Sequence, residues 1–325
     1  MTSSSASPRL VAMGLNPAWQ KTLVFNQLRV GEVNRARLVE TQASGKGINF
    51  AAAARQAGGH ATVVQFAGGV TGDWLTADLD RRGLPHATVC SAGATRICST
   101  VLSEADGVTT ELIEPSAAVS AGELAELRGR LFGLLLGAAG LGLCGTVPPG
   151  VPASFYAEAV AAAEAAGCLV LLDAYREIET VLRAGPDLLK INTAELTALT
   201  GTAEPAAAAR LCLEQFPIRA LAITAGPAAA FLFTRGHGWQ FTLPRLEHVL
   251  NPIGAGDTAA GVLLWQLAAE RAGGEDVWKE GSEVLPDAFR RALACACASC
   301  LTREPAAFSL ETALDLVPAI TVSCL

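Results

Sequence analysis

The chain has little charge for its length, no basic cluster and no long apolar run. Only 17% of its 325 residues are Asp, Glu, Lys or Arg, and the net charge is −7. Without a Lys/Arg patch, neither nucleic acid nor an anionic membrane surface is an expected partner, and any anionic ligand must be caught by local groups. The longest apolar stretch, Leu131 to Gly145, is about 15 residues, short of the roughly 18 to 20 that span a bilayer, and it runs into Pro148-Pro149. Met1 to Pro8 lacks the basic start and apolar stretch of an export signal and is expected to be a short disordered leader. The nine cysteines are odd in number and scattered, which points to free thiols in a reducing compartment and a cytoplasmic protein. Cys295, Cys297 and Cys300 lie in an Ala-rich helical stretch at spacings that do not turn three ligands to one helix face. They are expected as small buried side chains rather than a metal site.

What is present is alanine-rich and 51% hydrophobic, a composition that suits helices laid on a sheet. Strand and helix signals alternate: Arg9 to Leu15 as strand, Gly47 to Ala57 as helix, Thr62 to Ala67 as strand, Gly72 to Arg82 as helix. The rhythm resumes with a helix at Ala121 to Leu135, the run Gly140 to Cys144, a helix at Ala153 to Ala166 and strands at Cys168 to Leu172, Leu188 to Ile191 and Ala220 to Ile223. This is the pattern of a parallel sheet covered on both faces. Lys21 to Glu40 and Thr95 to Glu114 break it. The second reads as two strands joined by Glu104-Ala105-Asp106-Gly107, since Asp-Gly between alternating runs marks a hairpin. No helix signal accompanies these strands, so they are expected as a small separate sheet, a candidate lid that keeps water from the reaction.

The most informative run is Asn251-Pro-Ile-Gly-Ala-Gly-Asp-Thr-Ala-Ala-Gly261. Gly254, Ala255 and Gly256 allow a close turn before a helix that starts near Asp257. Free N–H groups and the positive end of the helix dipole then point at one spot that suits an anion. An ionised Asp257 there can accept a proton from an attacking hydroxyl while the amides stabilise charge on a transferring group. Two other glycine-rich patterns fail. Ala43-Ser44-Gly45-Lys46-Gly47 has Glu40 in place of the first P-loop glycine and Gly47 in place of the Mg²⁺-binding Ser/Thr, and no strand leads into Gly-x-Gly-x-x-Gly with a later acid.

Gly-Ala-Gly-Asp-Thr after Asn-Pro-Ile resembles the signature of the PfkB-type, ribokinase-like carbohydrate kinases, in which the Asp is the catalytic base. Further matches follow in family order from about Asn16 to Ala298. Ser44-Gly45-Lys46-Gly47-Ile48-Asn49 is similar to the Gly-Lys-Gly-x-Asn run that faces the sugar, which implies substrate contacts for Gly45, Lys46 and Asn49. Phe66 to Gly72 and Cys144 to Gly150 resemble family loops at the sheet mouth. Leu188-Leu-Lys190-Ile-Asn192-Thr-Ala-Glu195 resembles the run whose Asn and Glu place Mg²⁺ and the nucleotide phosphates, and Ile223-Thr224-Ala225-Gly226 the turn beside ATP. The resemblance thus implies ATP and Mg²⁺ as cofactors, with Lys190, Asn192, Glu195, Thr224 and Gly226 on the nucleotide and Glu195 near the metal through water. Thr95-Arg96-Ile97-Cys98 with Thr110 to Glu114 is similar to the fructose-1-phosphate and tagatose-6-phosphate kinase branch. That likeness gives Arg96 a forked contact with a phosphate already on the sugar.

Several substrate-side positions depart from the family. Asn16-Pro17-Ala18-Trp19-Gln20 stands where Asn-Pro-x-Leu-Asp is usual, so Gln20 brings hydrogen bonds to sugar hydroxyls without charge. Trp19 either narrows the pocket or joins the core. Asp173-Ala174-Tyr175-Arg176 replaces Asp-Thr-Ser-Gly, and Ser44 a familiar glycine. The resulting expectation is an α/β chain: a ribokinase-like αβα sandwich with a mostly parallel central sheet, one kinase domain over residues 9–325 and lid strands near 21–40 and 95–114. The expected reaction is ATP-dependent phosphorylation of a sugar phosphate such as fructose 1-phosphate, fructose 6-phosphate or tagatose 6-phosphate. A kinase of an unphosphorylated sugar or nucleoside, and a non-catalytic ligand-sensing pseudokinase, stay open. Open lid edges suggest a homodimer through the lid strands.

Overall fold

The computed structural model describes residues 7–174 and 176–325; most of the expected leader and Tyr175 lie outside the described residues. In chain order the strands are β1 (Arg9–Met13), β2 (Ala18–Phe25), β3 (Leu38–Ser44), β4 (His60–Ala67), β5 (His86–Cys90), β6 (Ile97–Ser103) and β7 (Val108–Ile113). They continue as β8 (Gly140–Cys144), β9 (Leu169–Asp173), β10 (Leu188–Asn192), β11 (Ala220–Ala225), β12 (Ala229–Thr234), β13 (Gly238–Thr242) and β14 (Thr321–Cys324). The helices are α1 (Lys46–Gln56), α2 (Gly69–Arg81), α3 (Ala121–Leu135), α4 (Ser154–Ala165), α5 (Glu179–Arg183), α6 (Thr193–Thr200), α7 (Pro205–Gln215), α8 (Ala255–Ala272), α9 (Val284–Ser299) and α10 (Leu310–Leu316).

Ten strands form one sheet in the order β14-β13-β12-β11-β10-β9-β8-β1-β4-β5. The seven from β11 to β5 are parallel, and β12, β13 and β14 extend the sheet antiparallel. The central strands read as unbroken apolar runs because both their faces are covered. Their period of two sorts alternate residues into two cores: Leu10, Ala12, Leu169 and Leu171 join α1, α8 and α9 on one side. Val11, Met13, Val170 and Leu172 join α3, α4 and α7 on the other. Each such aliphatic side chain taken out of water contributes about 1.5–3 kcal/mol. The strand order turns back between β8 and β1, and the segments leaving their carboxyl ends diverge, which opens a crevice there.

The expected hairpin is present as β6 and β7, and β3-β2-β6-β7 makes a separate four-stranded sheet. Its strands are shifted outward from the sequence expectation, β2 starting at Ala18 and β3 reaching Ser44. One expectation is corrected: these strands do have a helix beside them. Helix α2 lies against β2 and β3, with Trp74 5.9 Å from Trp19 between ring centroids and Asp78 accepting a hydrogen bond from the Ala43 amide at 3.0 Å. Neither contact shows in a hydrophobic pattern, because one joins two scattered tryptophans and the other is polar. Among the described residues no helix is long and apolar enough to cross a membrane.

Candidate active site

Helix α8 begins at Ala255 because Gly254 before it takes a left-handed backbone, φ 83°, which glycine adopts without a Cβ clash. The expected free N–H groups at the resulting anion site are the amides of Ala255, Gly256 and Asp257. The structure narrows them to two, since the Ala255 N–H turns back to the Pro252 carbonyl at 3.3 Å. Among the described residues no partner is found for the amides of Gly256 and Asp257, as the first turn of a helix leaves them. The Lys190 ammonium adds positive charge to the same turn: a Cβ on Gly256 would lie 2.6 Å from its Nζ.

Asp257 sits at the buried start of α8, 7% exposed, within a compact set of charges. Its Oδ2 accepts from Asn49 Nδ2 at 2.8 Å, and its Oδ1 lies 3.6 Å from Lys46 Nζ. Lys46, from the first turn of α1, also donates to Asp173 Oδ1 at 3.0 Å, and Lys190 Nζ is 3.6 Å from that same oxygen. Burial, with Asp173 adding to it, pushes the Asp257 carboxyl above the usual carboxylate range, while Lys46 and Asn49 pull the other way. For Asp173 burial favours the neutral form, but Lys190 and Lys46 outweigh it and hold the carboxyl below its usual value. Burial alone would lower Lys46; the carboxylates of Asp173 and Asp257 reverse that and raise it. Asp173 is the site residue that sequence reasoning left without a role. Its signal was its place at the carboxyl end of β9, where parallel sheets carry their chemistry.

The expected nucleotide residues fall on neighbouring strands. Asn192 ends β10 and pairs in register with Thr224 on β11, and Gly226, at φ 71°, follows in the turn to β12. Asn192 and Glu195 form a capping box at the start of α6: Asn192 Oδ1 accepts from the Glu195 amide at 2.8 Å, and Glu195 Oε2 from the Asn192 amide at 2.9 Å. One Glu195 oxygen is therefore tied to the helix cap and the other is open to a ligand or water.

The small sheet turns one face to this site. Ser44, at the end of β3, donates to Asn49 Oδ1 at 3.2 Å, and burial together with the charge of Asp257 raises the pKa of Glu111 on β7. By register this face carries Gln42-Gln20-Cys98-Ile113 in one row and Glu40-Thr22-Thr100-Glu111 in the next. Gln20 is on the expected face, yet its amide is buried and donates to Thr100 Oγ1 at 2.7 Å, so its expected hydroxyl contact is taken within the sheet. Trp19 points to the opposite face, towards Trp74, and is a packing residue. Arg96 was expected to fork onto a phosphate. Instead its Nη2 donates to the Asn16 carbonyl at 2.9 Å and its Nε to that of Pro17 at 3.4 Å. Asn16 in turn donates to Thr146 Oγ1 at 3.1 Å and accepts from Ser116. Gly45 closes the turn before α1 at φ 126°.

Two larger clefts, of about 530 and 580 Å³, share Arg219 and Trp278 at the amino ends of the parallel strands. They hold none of the candidate site residues described above.

A crevice at the carboxyl ends of a doubly covered parallel sheet, overhung by a second small sheet, is the ribokinase-like architecture. Residues 15–313 match the pfkB family of carbohydrate kinases, and the chain belongs to that family. It is thus an ATP-dependent sugar kinase. Among solved structures, phosphofructokinase-2 from Escherichia coli in complex with fructose-6-phosphate superposes with a TM-score of 0.82 at 25% identity, covering 96% of this chain and 99% of that one. A possible 1-phosphofructokinase from Thermotoga maritima gives 0.79 at 19% identity, over 98% and 99%. Arabidopsis thaliana ribokinase complexed with ribose and ATP gives 0.70 at 20%, over 96% and 99%.

Proposed function

We propose that Asp257 is the general base of this kinase and takes the proton of a sugar hydroxyl as that oxygen attacks the γ-phosphate of ATP. The observation that carries it is one turn of α8 presenting a buried carboxylate together with two unpartnered amides and the Lys190 ammonium. The amides of Gly256 and Asp257 and Lys190 stabilise charge on the phosphoryl group, and Lys46 and Asn49 hold the carboxylate in place for in-line attack. Nucleotide lies along Asn192, Glu195, Thr224 and Gly226. No cluster of three His, Cys, Asp or Glu able to grip a metal occurs among the described residues, while Glu195 keeps one carboxylate oxygen. This donor set fits Mg²⁺ carried on the nucleotide phosphates and touched by Glu195 through water, where the ion neutralises phosphate charge. Asp257→Asn should leave the ATP dissociation constant within about threefold and lower kcat by about 10²–10⁴. Near-normal turnover in that variant would overturn the role.

The acceptor follows from two opposing observations. Neighbours whose names are phosphofructokinases favour a sugar phosphate, with Lys46 and the unengaged Arg96 N–H groups as the cations to meet it. A neutral sugar is favoured by the engaged Arg96 fork and by Glu111 on the site face. ADP release measured over a panel of sugars and their phosphates separates the two. Free cysteines throughout the described residues suit a cytoplasmic setting, and the outer face of the small sheet suits a homodimer.

A further inference from the structure

Three side chains outside the reacting set, buried Asp78, half-buried Arg82 and exposed Arg81, gather at the end of β3. Asp78 on α2, 7% exposed, accepts from the Ala43 amide through Oδ2 at 3.0 Å. Arg82, one helical turn on, donates to the Ala43 carbonyl at 3.1 Å and lies 3.6 Å from Asp78 Oδ2. Arg81 closes the other oxygen of Asp78 at 2.6 Å. Ala43 is thus held by both its amide and its carbonyl from a helix that contributes nothing to the reaction itself. The next residue is Ser44, whose hydroxyl donates to Asn49 Oδ1, and Asn49 Nδ2 donates to Asp257 Oδ2. An ionised Asp257 needs a donor, so the Asn49 amide must present nitrogen to it and oxygen to Ser44.

We propose that Asp78 and Arg82 are positioning residues that fix Ser44, and that Ser44 locks the Asn49 amide so that it donates to Asp257. The proposal rests on the base role of Asp257 and adds a relay from α2 to it. The physical reason is one of freedom. A side-chain amide with one anchored oxygen has a single orientation, whereas an unanchored one trades the carboxylate for other partners and loses part of a charge-assisted bond. Position 44 carries a hydroxyl, so the residue that departs from the family pattern acquires a task. The charged groups around Asp257 are Lys46 on α1, Asp173 on β9, Lys190 on β10 and, further off, Glu111 on β7. None of these changes when Ser44 or Asp78 is replaced, so a shift reports the relay.

The test follows the side-chain ¹H–¹⁵N amide signals of Asn49 through a pH titration of the full chain, alongside the acid limb of kcat/KM. In the natural protein the Asn49 signals should titrate with Asp257 and should stop doing so in Asp257→Asn. Ser44→Ala removes only a hydroxyl. It should raise the titration midpoint and the acid limb together by several tenths to about one pH unit, with KM for ATP within about twofold. Asp78→Asn, which keeps an acceptor for Ala43 but loses the hold on Arg82, should shift the midpoint in the same direction. The double variant should shift it no further than the larger single, as coupled sites do. An unmoved midpoint in Ser44→Ala, or additive shifts in the double variant, overturns the relay. Retained turnover in Asp257→Asn with the titration behaving as described overturns the base role and leaves the relay standing.

Discussion

Asp257 and Asp173 are shifted in opposite directions from the ordinary Asp value, although both are buried and both face Lys46. Asp257 is raised, so between the ordinary Asp value and its own the folded chain holds a proton that the unfolded chain has lost. Its contribution to stability therefore falls as pH climbs through that window. Asp257→Asn should consequently raise the thermal midpoint at pH 8 relative to the natural protein and not at pH 3; a lower midpoint at pH 8 would contradict the assigned direction. Asp173 is depressed, so its contribution is present above the ordinary Asp value and is lost as pH falls through the lower folded one. Asp173→Asn should cost about 3–5 kcal/mol in urea unfolding at pH 7, because it leaves the buried Lys190 without a partner. Gly254, Gly256 and Asp257 were legible as a site because a glycine-flanked acid at a helix start is a local pattern. The partners that tune Asp257 were not, since Asn49 and Asp173 reach it from 208 and 84 positions away in a chain whose pairing only the fold supplies.

Among the elements, the parallel strands, the β6–β7 hairpin and helix α3 were readable, and the antiparallel margin of the large sheet was not. The parallel strands β1, β8, β9 and β11 appear in the sequence as short apolar runs, β10 as one interrupted by Lys190, and α3 spans the residues its pattern marked. By contrast β12 to β14 went unmarked: they lie at the antiparallel margin, and β14 is exposed along its whole length, so burial leaves no imprint on its sequence. The helix beneath the small sheet escaped as a neighbour because its grip on β3 is a carboxylate on a backbone amide. Where α8 crosses α1, an added Cβ at Gly261 would stand 2.2 Å from the Phe50 carbonyl. Gly261→Ala should therefore force the helices apart and cost about 1–3 kcal/mol, read from the urea midpoint, with an unchanged midpoint refuting the close crossing.

On the scale of the molecule, the small sheet has two unlike faces. The one turned to Asp257 is largely polar, while the outer one aligns Val39, Leu23 and Val101 in one row with Leu112 and Val108 alongside. Leu112 is 59% exposed and Val39 52%, which is costly for a face open to water on every copy. If that face pairs two chains, light scattering should find twice the 33.5 kDa mass, and Leu112→Glu should halve it without altering the far-ultraviolet circular dichroism. A natural protein already at 33.5 kDa would remove the argument.

Lys46, Lys190, Asp173 and Asp257 carry two positive and two negative charges, so the cluster is electrically neutral while Asp257 is ionised. In the proposed reaction, accepting the hydroxyl proton would leave it with one surplus positive charge. On that proposal the pocket would become cationic only at the instant when the attacking oxygen becomes anionic, and would revert once the proton departs.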